Sequence, residues 1–584
     1  MKAFFKIFFA SLLALIVFCV LAVFVLVWIA SSAMQPAKPD LGSKGVLVLD
    51  LSTSLDEQGQ ENPINSFADK ASYTPGLYDV VRMLHYAKYD STIKGLYIKA
   101  DDNGNGLAAS EELLRAVQDF KTSKKFVIAY GETVSERAYY VASAADEMYI
   151  HPQGGMEWDG YAVNLAFMKN LLDRLEIQPE IFYAGKFKSA TEPFRATQMT
   201  EPNRLQTNVW LGDLYNQFLQ QISRARNIDT AQLHQLANSG AIQTSNDALH
   251  YHLVDGLKYD NDVKTELQQR LHLDSKAKIN FITMANYAEA ADYKSTSGSK
   301  IAVVFAQGDI VDGKEQRGTI ASIQYRDLLR KLRLDDDVKA IVLRVNSPGG
   351  SALASDVIAH EVMLARKVKP VVVSMGDYAA SGGYYISCLA DSIFADQGTI
   401  TGSIGVFTMI PNLESFFKDK LGVTFDGVKT AEHADMMTVT RPLTPVERQF
   451  MQSNVDTTYN TFKQRVANGR NKTMEYVDSI AQGRVWTGAR GIPVGIVDRI
   501  GTLQDAIVAA AKMAKTSSYY TREYPEPKGF LEQLLENVTS SSIKENKIEE
   551  EIGKQPYQLL VQWKNIQSMM GTPQARLPFS AEIR

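Results

Sequence analysis

Ile341-Val-Leu-Arg344 runs into Asn346-Ser-Pro-Gly-Gly350, an apolar stretch that ends on a double glycine. A run of apolar residues without alternation reads as a strand buried on both faces, the habit of parallel sheets. Val371-Val-Val-Ser374 is a second run of this kind, and helical patterns over 323–334 and 354–367 flank the first. Strands and helices in alternation read as βαβ units, so the fold class is α/β. The same order occurs once upstream. Leu96-Tyr-Ile-Lys99 precedes Ile341-Val-Leu-Arg344 by 245 residues, and Phe126-Val-Ile-Ala129 precedes Val371-Val-Val-Ser374 by the same distance. Gly131, Ala138-Tyr-Tyr140 and Asp146 precede Gly376, Gly383-Tyr-Tyr385 and Asp391 likewise. One offset kept over about fifty residues argues an internal duplication. The first repeat is expected over 41–293 and the second over 294–510, parted by the Ser/Gly-rich Lys294-Ser-Thr-Ser-Gly-Ser-Lys300. A leading segment 1–40 and a C-terminal extension 511–584 complete the chain.

The 584 residues suffice for several domain cores. Hydrophobic residues at 45% and charged residues at 22% are ordinary globular values, which excludes a disordered or collagen-like chain. A formal net charge of −4 offers no basic excess, so nucleic acid is not an expected partner. The two cysteines, Cys19 and Cys388, are too few for a disulfide framework, and no Cys/His spacing points to a metal; no cofactor is expected. Cys388 is expected as a packed core thiol.

After Lys2 and Lys6 the chain carries no charge over residues 7–30, a stretch of 24 residues that spans about 36 Å as a helix, enough for a bilayer. Ala30-Ser-Ser-Ala33 offers small residues for signal cleavage, but the apolar core of a cleaved signal is only about 7–15 residues long. A retained transmembrane anchor is therefore expected, with Lys2 and Lys6 on the cytoplasmic side, Trp28 at an interface and the rest of the chain outside the cytoplasm. In a bacterium this is the inner membrane, single pass, with the repeats on the periplasmic or outer face.

The repeats differ where chemistry would sit. Asn346-Ser-Pro-Gly-Gly350 corresponds to Asp101-Asp-Asn-Gly-Asn105, which lacks the double glycine, and Ser381 in Ala379-Ala-Ser-Gly-Gly383 corresponds to Glu136. Ser381 follows a buried run and opens a helix over 382–391, so its side chain stands at a strand-to-helix turn beside free N–H groups. This arrangement suits an acyl-transfer nucleophile. Gly349 and Gly350 can adopt backbone conformations that other residues avoid; the N–H groups of Gly350 and Gly382 would then form an oxyanion hole. The plainer reading makes both glycine pairs tight turns and Ser381 an N-cap. A serine nucleophile needs a base. The eight histidines, His85, His151, His234, His250, His252, His272, His360 and His433, all lie outside glycine-rich or catalytic-looking contexts. A lysine held neutral is the remaining choice. An ordinary lysine, of pKa about 10.4, is only about 0.1% neutral near pH ~7.5, so burial must destabilise the ammonium by about 3–4 kcal/mol.

Asn346-Ser-Pro-Gly-Gly-Ser351, Met375-Gly-Asp-Tyr-Ala-Ala-Ser-Gly-Gly-Tyr384, Thr401-Gly-Ser-Ile-Gly405 and Gly483-Arg-Val-Trp-Thr-Gly488 resemble the signature of the signal peptide peptidase A (protease IV) family in its long duplicated form. Tyr183-Ala-Gly-Lys-Phe-Lys-Ser-Ala-Thr-Glu-Pro-Phe194 is similar to that family's lysine segment. The resemblance implies tandem Clp-protease/crotonase-like (ββα superhelix) domains, a dome-shaped homotetramer and a serine endopeptidase that cleaves remnant signal peptides through an acyl-enzyme. It also implies Ser381 as nucleophile, Lys188 as general base and Ser403 as a hydroxyl partner of that lysine. Lys186 is the nearest rival base, and a turn hydrogen bond is the plainer role for Ser403. Each repeat would then keep one partner: the first has Lys188 with Glu136 in place of the serine, and the second has Ser381 with His433 at the position 245 beyond Lys188. Assembling the repeats would build the site.

Two other functions compete. A crotonase-like enzyme acting on acyl-CoA also uses an oxyanion hole from two loops, but export removes it from cytosolic coenzyme A. A non-enzymatic membrane scaffold would use the duplication for assembly. The expected partners are cleaved signal peptides, the bilayer through residues 7–30 and further copies of the chain. The tail reads as a short apolar helix over 530–538, a Thr/Ser run over 539–542, a charged helix over 544–551 and an amphipathic stretch over 557–570, serving packing, oligomer contacts or a partner.

Overall fold

The computed structural model describes residues 2–33, 40–61, 73–314, 318–526 and 571–577. Each repeat folds around its own sheet, parallel throughout in the first and parallel but for the edge strand Val485–Thr487 in the second. In the first, the neighbours run Gly256–Leu257, Glu147–Met156, Phe126–Val134, Ile93–Lys99, Gly45–Asp50 and Asn280–Thr283, all parallel. In the second, Val371–Ala380, Val338–Ser347, Ser299–Gln307 and Tyr519–Tyr524 repeat this order, and Ser392–Ala395 and Ile400–Gly402 pair on the outer side of Val371–Ala380. Leu96, Ile98, Val127 and Ile128 in one sheet, and Ile341, Leu343, Val371 and Val373 in the other, have no exposed surface. The uninterrupted apolar runs are thus buried on both faces, as a parallel sheet layered with helices requires. The duplicated α/β organisation follows the 245-residue offset.

The repeats are locked by buried charge. Helix Leu107–Lys121 of the first repeat points its amino end at the second, where Ala108 and Ala109 N–H donate to Asp377 Oδ1 at 2.9 and 3.2 Å. These are first-turn groups without a partner inside the helix. Beside them Arg344, itself 1% exposed, pairs at 2.8 Å with both Glu57 and Glu112 of the first repeat. Removing one member of such a buried set leaves an uncompensated charge and costs about 3–5 kcal/mol.

A third sheet joins strands from distant parts of the chain, in the order Thr319–Ala321, Asp309–Val311, Gly349–Ser351, Gln574–Arg576, Val406–Asn412 and Gln178–Ala184. Gln178–Ala184 comes from the first repeat and pairs antiparallel along its whole length with Val406–Asn412 of the second, from Ala184 opposite Val406 to Gln178 opposite Asn412. The lysine segment therefore hangs from a strand that the first repeat lends to the second.

The second repeat also continues past residue 510. Tyr519–Tyr524 pairs with Ser299–Gln307 as Asn280–Thr283 pairs with Gly45–Asp50, so the expected boundary removes a strand from the unit it completes. The helices and the Thr/Ser run expected within 530–570 lie outside the described residues. At the other end Lys2–Ala33 is one helix. Side chains in it are described for residues 4–18 and 21, which leaves the expected interfacial Trp28 outside. Among the described residues no helix is long and apolar enough to cross a membrane.

Candidate active site

The strand Val371–Ala380 ends at Ser381, which stands at φ 55° and ψ −111° ahead of helix Gly382–Ser387. A non-glycine residue held in such a sparsely populated region stores about 1–3 kcal/mol of strain. An N-cap serine sits in extended backbone and accepts from the first helical turn. Ser381 does neither, for its side chain makes no cap bond. Its backbone is fixed instead by its N–H to the Gly402 carbonyl at 2.8 Å and by its carbonyl accepting from Tyr385 N–H at 2.8 Å.

Lys188 is set by a turn that the second repeat clamps. Gly185 takes φ 103°, Lys188 N–H donates back to its carbonyl at 3.0 Å, and Phe187 N–H donates to the Gln482 carbonyl at 2.8 Å. Gly483 lies flat on the lysine: a Cβ there would stand 2.7 Å from both Lys188 N and Lys188 Cβ. Gln206, on helix Glu201–Arg226, donates to the Phe187 carbonyl at 3.0 Å and to Ser189 Oγ at 3.1 Å, and accepts from Val485 N–H at 3.2 Å. The Gly483-Arg-Val-Trp stretch is thus a wall against which the lysine turn is pressed.

Lys188 Nζ stands 2.8 Å from Ser381 Oγ, 3.1 Å from Ser403 Oγ and 3.3 Å from the Ser403 carbonyl oxygen. The lysine is 1% exposed, and burial drives its pKa well below the ordinary value, with no carboxylate among the described residues to oppose it. A neutral amine has two N–H bonds and one lone pair. In that form the two oxygens of Ser403, at 3.1 and 3.3 Å, can take the N–H bonds while the lone pair faces Ser381 Oγ. Ser403 holds this pose at φ 49°, its own N–H given to the Arg484 carbonyl at 2.7 Å. The Gly405 carbonyl is 3.4 Å from Ser381 Oγ.

The glycine pairs converge on one point. Gly349 takes φ 103°, and a Cβ on it would lie 2.8 Å from Gly382 N and 2.1 Å from the Ala575 carbonyl oxygen; a Cβ on Gly382 would lie 3.0 Å from that same oxygen. Gly349 N–H is occupied by Ser347 Oγ at 3.2 Å.

Other candidates fall elsewhere. Lys186 is exposed, with its amine 5.1 Å from the centre of the Phe187 ring. His433 faces Glu447 at 3.6 Å, and among the described residues no histidine reaches Ser381. Cys388 is buried, its thiol donating to the Tyr385 carbonyl at 3.2 Å and pushed up to about 12 by burial. Gln206 and the Gly405 carbonyl were not among the expected residues. A glutamine inside a helix and a backbone oxygen leave no pattern in a sequence, whereas Gly185 and Gly483 stand in the quoted motifs.

The model of peptidase family S49 matches residues 119–274 and 363–517, once in each repeat. Protease 4 of Salmonella typhi is 38% identical over 477 residues, covering 80% of this chain and 76% of that protein. Protease 4 of Haemophilus influenzae is 37% identical over 451 residues, covering 75% and 72%. The chloroplastic serine protease SPPA of Arabidopsis thaliana is 30% identical over 477 residues, covering 78% and 69%. Among solved structures, a ClpP1 of Listeria monocytogenes is 15% identical at a TM-score of 0.24, covering 35% of this chain and 94% of that one, a likeness too low to carry an argument. A family match in each half, with relatives covered over most of their length, makes the chain a serine protease that belongs to peptidase family S49.

Proposed function

We propose that the protein is a membrane-anchored endopeptidase that cuts peptide bonds through an acyl-enzyme on Ser381, with Lys188 as general base, and that its substrates are signal peptides left in the membrane after secretion. The observation that carries this reading is the buried 2.8 Å approach of Lys188 Nζ, from the first repeat, to Ser381 Oγ, from the second. The Ser381 hydroxyl donates to the amine lone pair and gives up its proton as Oγ attacks the substrate carbonyl carbon. Gly350 and Gly382 N–H donate to the oxyanion. Removing one such donor costs about 10²–10³ in rate. The transient Lys188 ammonium donates to both Ser403 oxygens, then passes its proton to the departing amine. Water enters over the ester and surrenders a proton along the same path.

The substrate class rests on the likeness of the four glycine-rich motifs to the signal peptide peptidase A family. The uncharged run 7–30, preceded by Lys2 and Lys6, supports a single anchor with both repeats on the periplasmic or outer face of a bacterial inner membrane. A homotetramer of Clp-protease-like domains belongs to the same reading. Family membership favours the peptidase over an acyl-CoA enzyme or a scaffold.

The test is labelling with a serine-directed fluorophosphonate. The wild type is expected to gain one adduct on Ser381, and Ser381→Ala and Lys188→Ala to gain none while melting as the wild type does. Full labelling of Lys188→Ala at the wild-type rate overturns the assignment of the base.

A further inference from the structure

The groove beside Ser381 is filled by the chain's own carboxyl-terminal part. Gln574–Arg576 lies antiparallel to Gly349–Ser351, in the register Gly349 opposite Arg576, Gly350 opposite Ala575 and Ser351 opposite Gln574, and it meets Phe407 through Gln574 on its other edge. Ala352 N–H donates to the Pro573 carbonyl at 3.1 Å, and Leu577 N–H to the Pro348 carbonyl at 2.8 Å. Antiparallel ladders alternate bonded and unbonded pairs. With 352/573 and 348/577 bonded, 350/575 is the bonded pair between them, so the Ala575 carbonyl receives the Gly350 N–H. Its oxygen is also the atom on which Gly349 and Gly382 close.

The side chains are seated as well. Ala575 has no exposed surface, and Leu577 packs among Trp210, Leu214, Ala380, Ile400 and Val485. Arg576 pairs with Asp309 at 2.9 Å, and Thr408 Oγ1 donates to the Thr572 carbonyl at 3.2 Å. An extended segment held by main-chain bonds, with alternate side chains in pockets, is how a sheet edge recognises a peptide. This segment runs unbroken through the site, with residues seated on both sides of the Ala575–Arg576 bond.

We propose that Ala575–Arg576 is a bond this protease cuts in its own chain. The inference rests on the Ser381/Lys188 reading. Ser381 Oγ bonds to the Ala575 carbonyl carbon as its proton passes to the Lys188 amine. The C–N bond to Arg576 breaks, Lys188 returns the proton to the Arg576 nitrogen, and the segment that begins at Arg576 leaves as a peptide. Water then splits the Ser381 ester and Ala575 becomes the new carboxyl terminus. The enclosed seat of Ala575 further sets alanine-sized residues as the ones accepted on the acyl side of the cut.

Intact-mass measurement of the purified full chain tests this, with hydrolysis of an added peptide followed in the same samples. The wild type is expected to end at Ala575 and Ser381→Ala to retain residues 576–584. Ala575→Trp, whose ring finds no room in that seat, is expected to retain them too while melting as the wild type does. A wild type that hydrolyses the added peptide in a Ser381-dependent way but keeps an uncut terminus overturns the self-cleavage and leaves the dyad standing. A wild type with no Ser381-dependent hydrolysis overturns both. Loss of 576–584 from Ser381→Ala assigns the cut to another protease, and cutting of Ala575→Trp at the wild-type rate overturns the small-residue seat.

Discussion

Phe126–Val134 passes into helix Glu136–Ala142 through Ser135, and Val371–Ala380 passes into Gly382–Ser387 through Ser381, yet the two serines are held in opposite ways. Ser135 stands in extended backbone at φ −74° and ψ 153°, and its Oγ accepts from Ala138 N–H at 3.2 Å. Ser381 stands at φ 55°, caps nothing, and its Oγ lies 2.8 Å from the Lys188 amine. The Ser135 hydroxyl also donates to Asp102 Oδ1 at 3.2 Å, and a serine satisfied on both counts is chemically idle. Rotating the backbone into the left-handed region forfeits a cap worth about 1 kcal/mol and adds strain of about 1–3 kcal/mol, but it frees the hydroxyl for another partner. The first repeat contributes structure at this turn and supplies the amine from elsewhere; the second contributes the alcohol.

Substitutions separate the two turns. The largest effect is expected of Ser381→Ala and of Lys188→Ala, each lowering peptide hydrolysis about 10⁴-fold or more, as loss of a nucleophile or its base does. Ser403→Ala removes one of the two oxygens that turn the amine, and kcat is expected to fall roughly 10–100-fold with little change in KM.

Glu136 tests the first repeat's turn. Burial pushes its carboxyl up to about 7, although it accepts from Gly160 N–H at 3.1 Å. An unfolded glutamate titrates at about 4.3, so the native state holds a proton that the unfolded chain has lost, and stability falls as pH rises from about 4.3 through the folded value. Glu136→Gln keeps the acceptor and removes the titration. It is expected to stabilise the chain by about 1–3 kcal/mol above neutrality and to change nothing near pH ~4, read from thermal melts at both pH values. Ser135→Ala is expected to cost about 1 kcal/mol in the same melts with peptide hydrolysis unchanged. Loss of hydrolysis there would dissolve the distinction between the two turns.

Much of this was legible in the residues and some was not, for identifiable reasons. The apolar runs at Leu96, Phe126, Ile341 and Val371 gave the parallel sheets because burial on both faces permits no polar alternation. The offset aligned Ser381 with Glu136, but the serine that ends the first repeat's strand is Ser135, since the second repeat's strand runs one residue further before its helix begins. The same offset pointed from Lys188 to His433, where the correspondence fails: residues 421–432 form an exposed stretch in place of the antiparallel Gln178–Ala184. The strand Gln574–Arg576 was invisible because three residues carry no period, and only pairing across more than two hundred positions makes them a strand. Tyr519–Tyr524 was hidden in a different way, as an edge strand lying beyond the last recognisable motif.

Catalysis by this pair requires the Lys188 amine to be neutral in the pH range where the enzyme works. The rate at which a fluorophosphonate phosphonylates Ser381, with loss of fluoride, reads this out when followed from about pH 5 to about pH 11. The amine attacks the proton only when uncharged, so the rate should rise with pH and then level off well below the ordinary lysine value of about 10.4, because burial depresses the folded pKa. A rate that keeps climbing tenfold per pH unit up to about pH 10 would mean an amine of ordinary basicity and would remove Lys188 as the base.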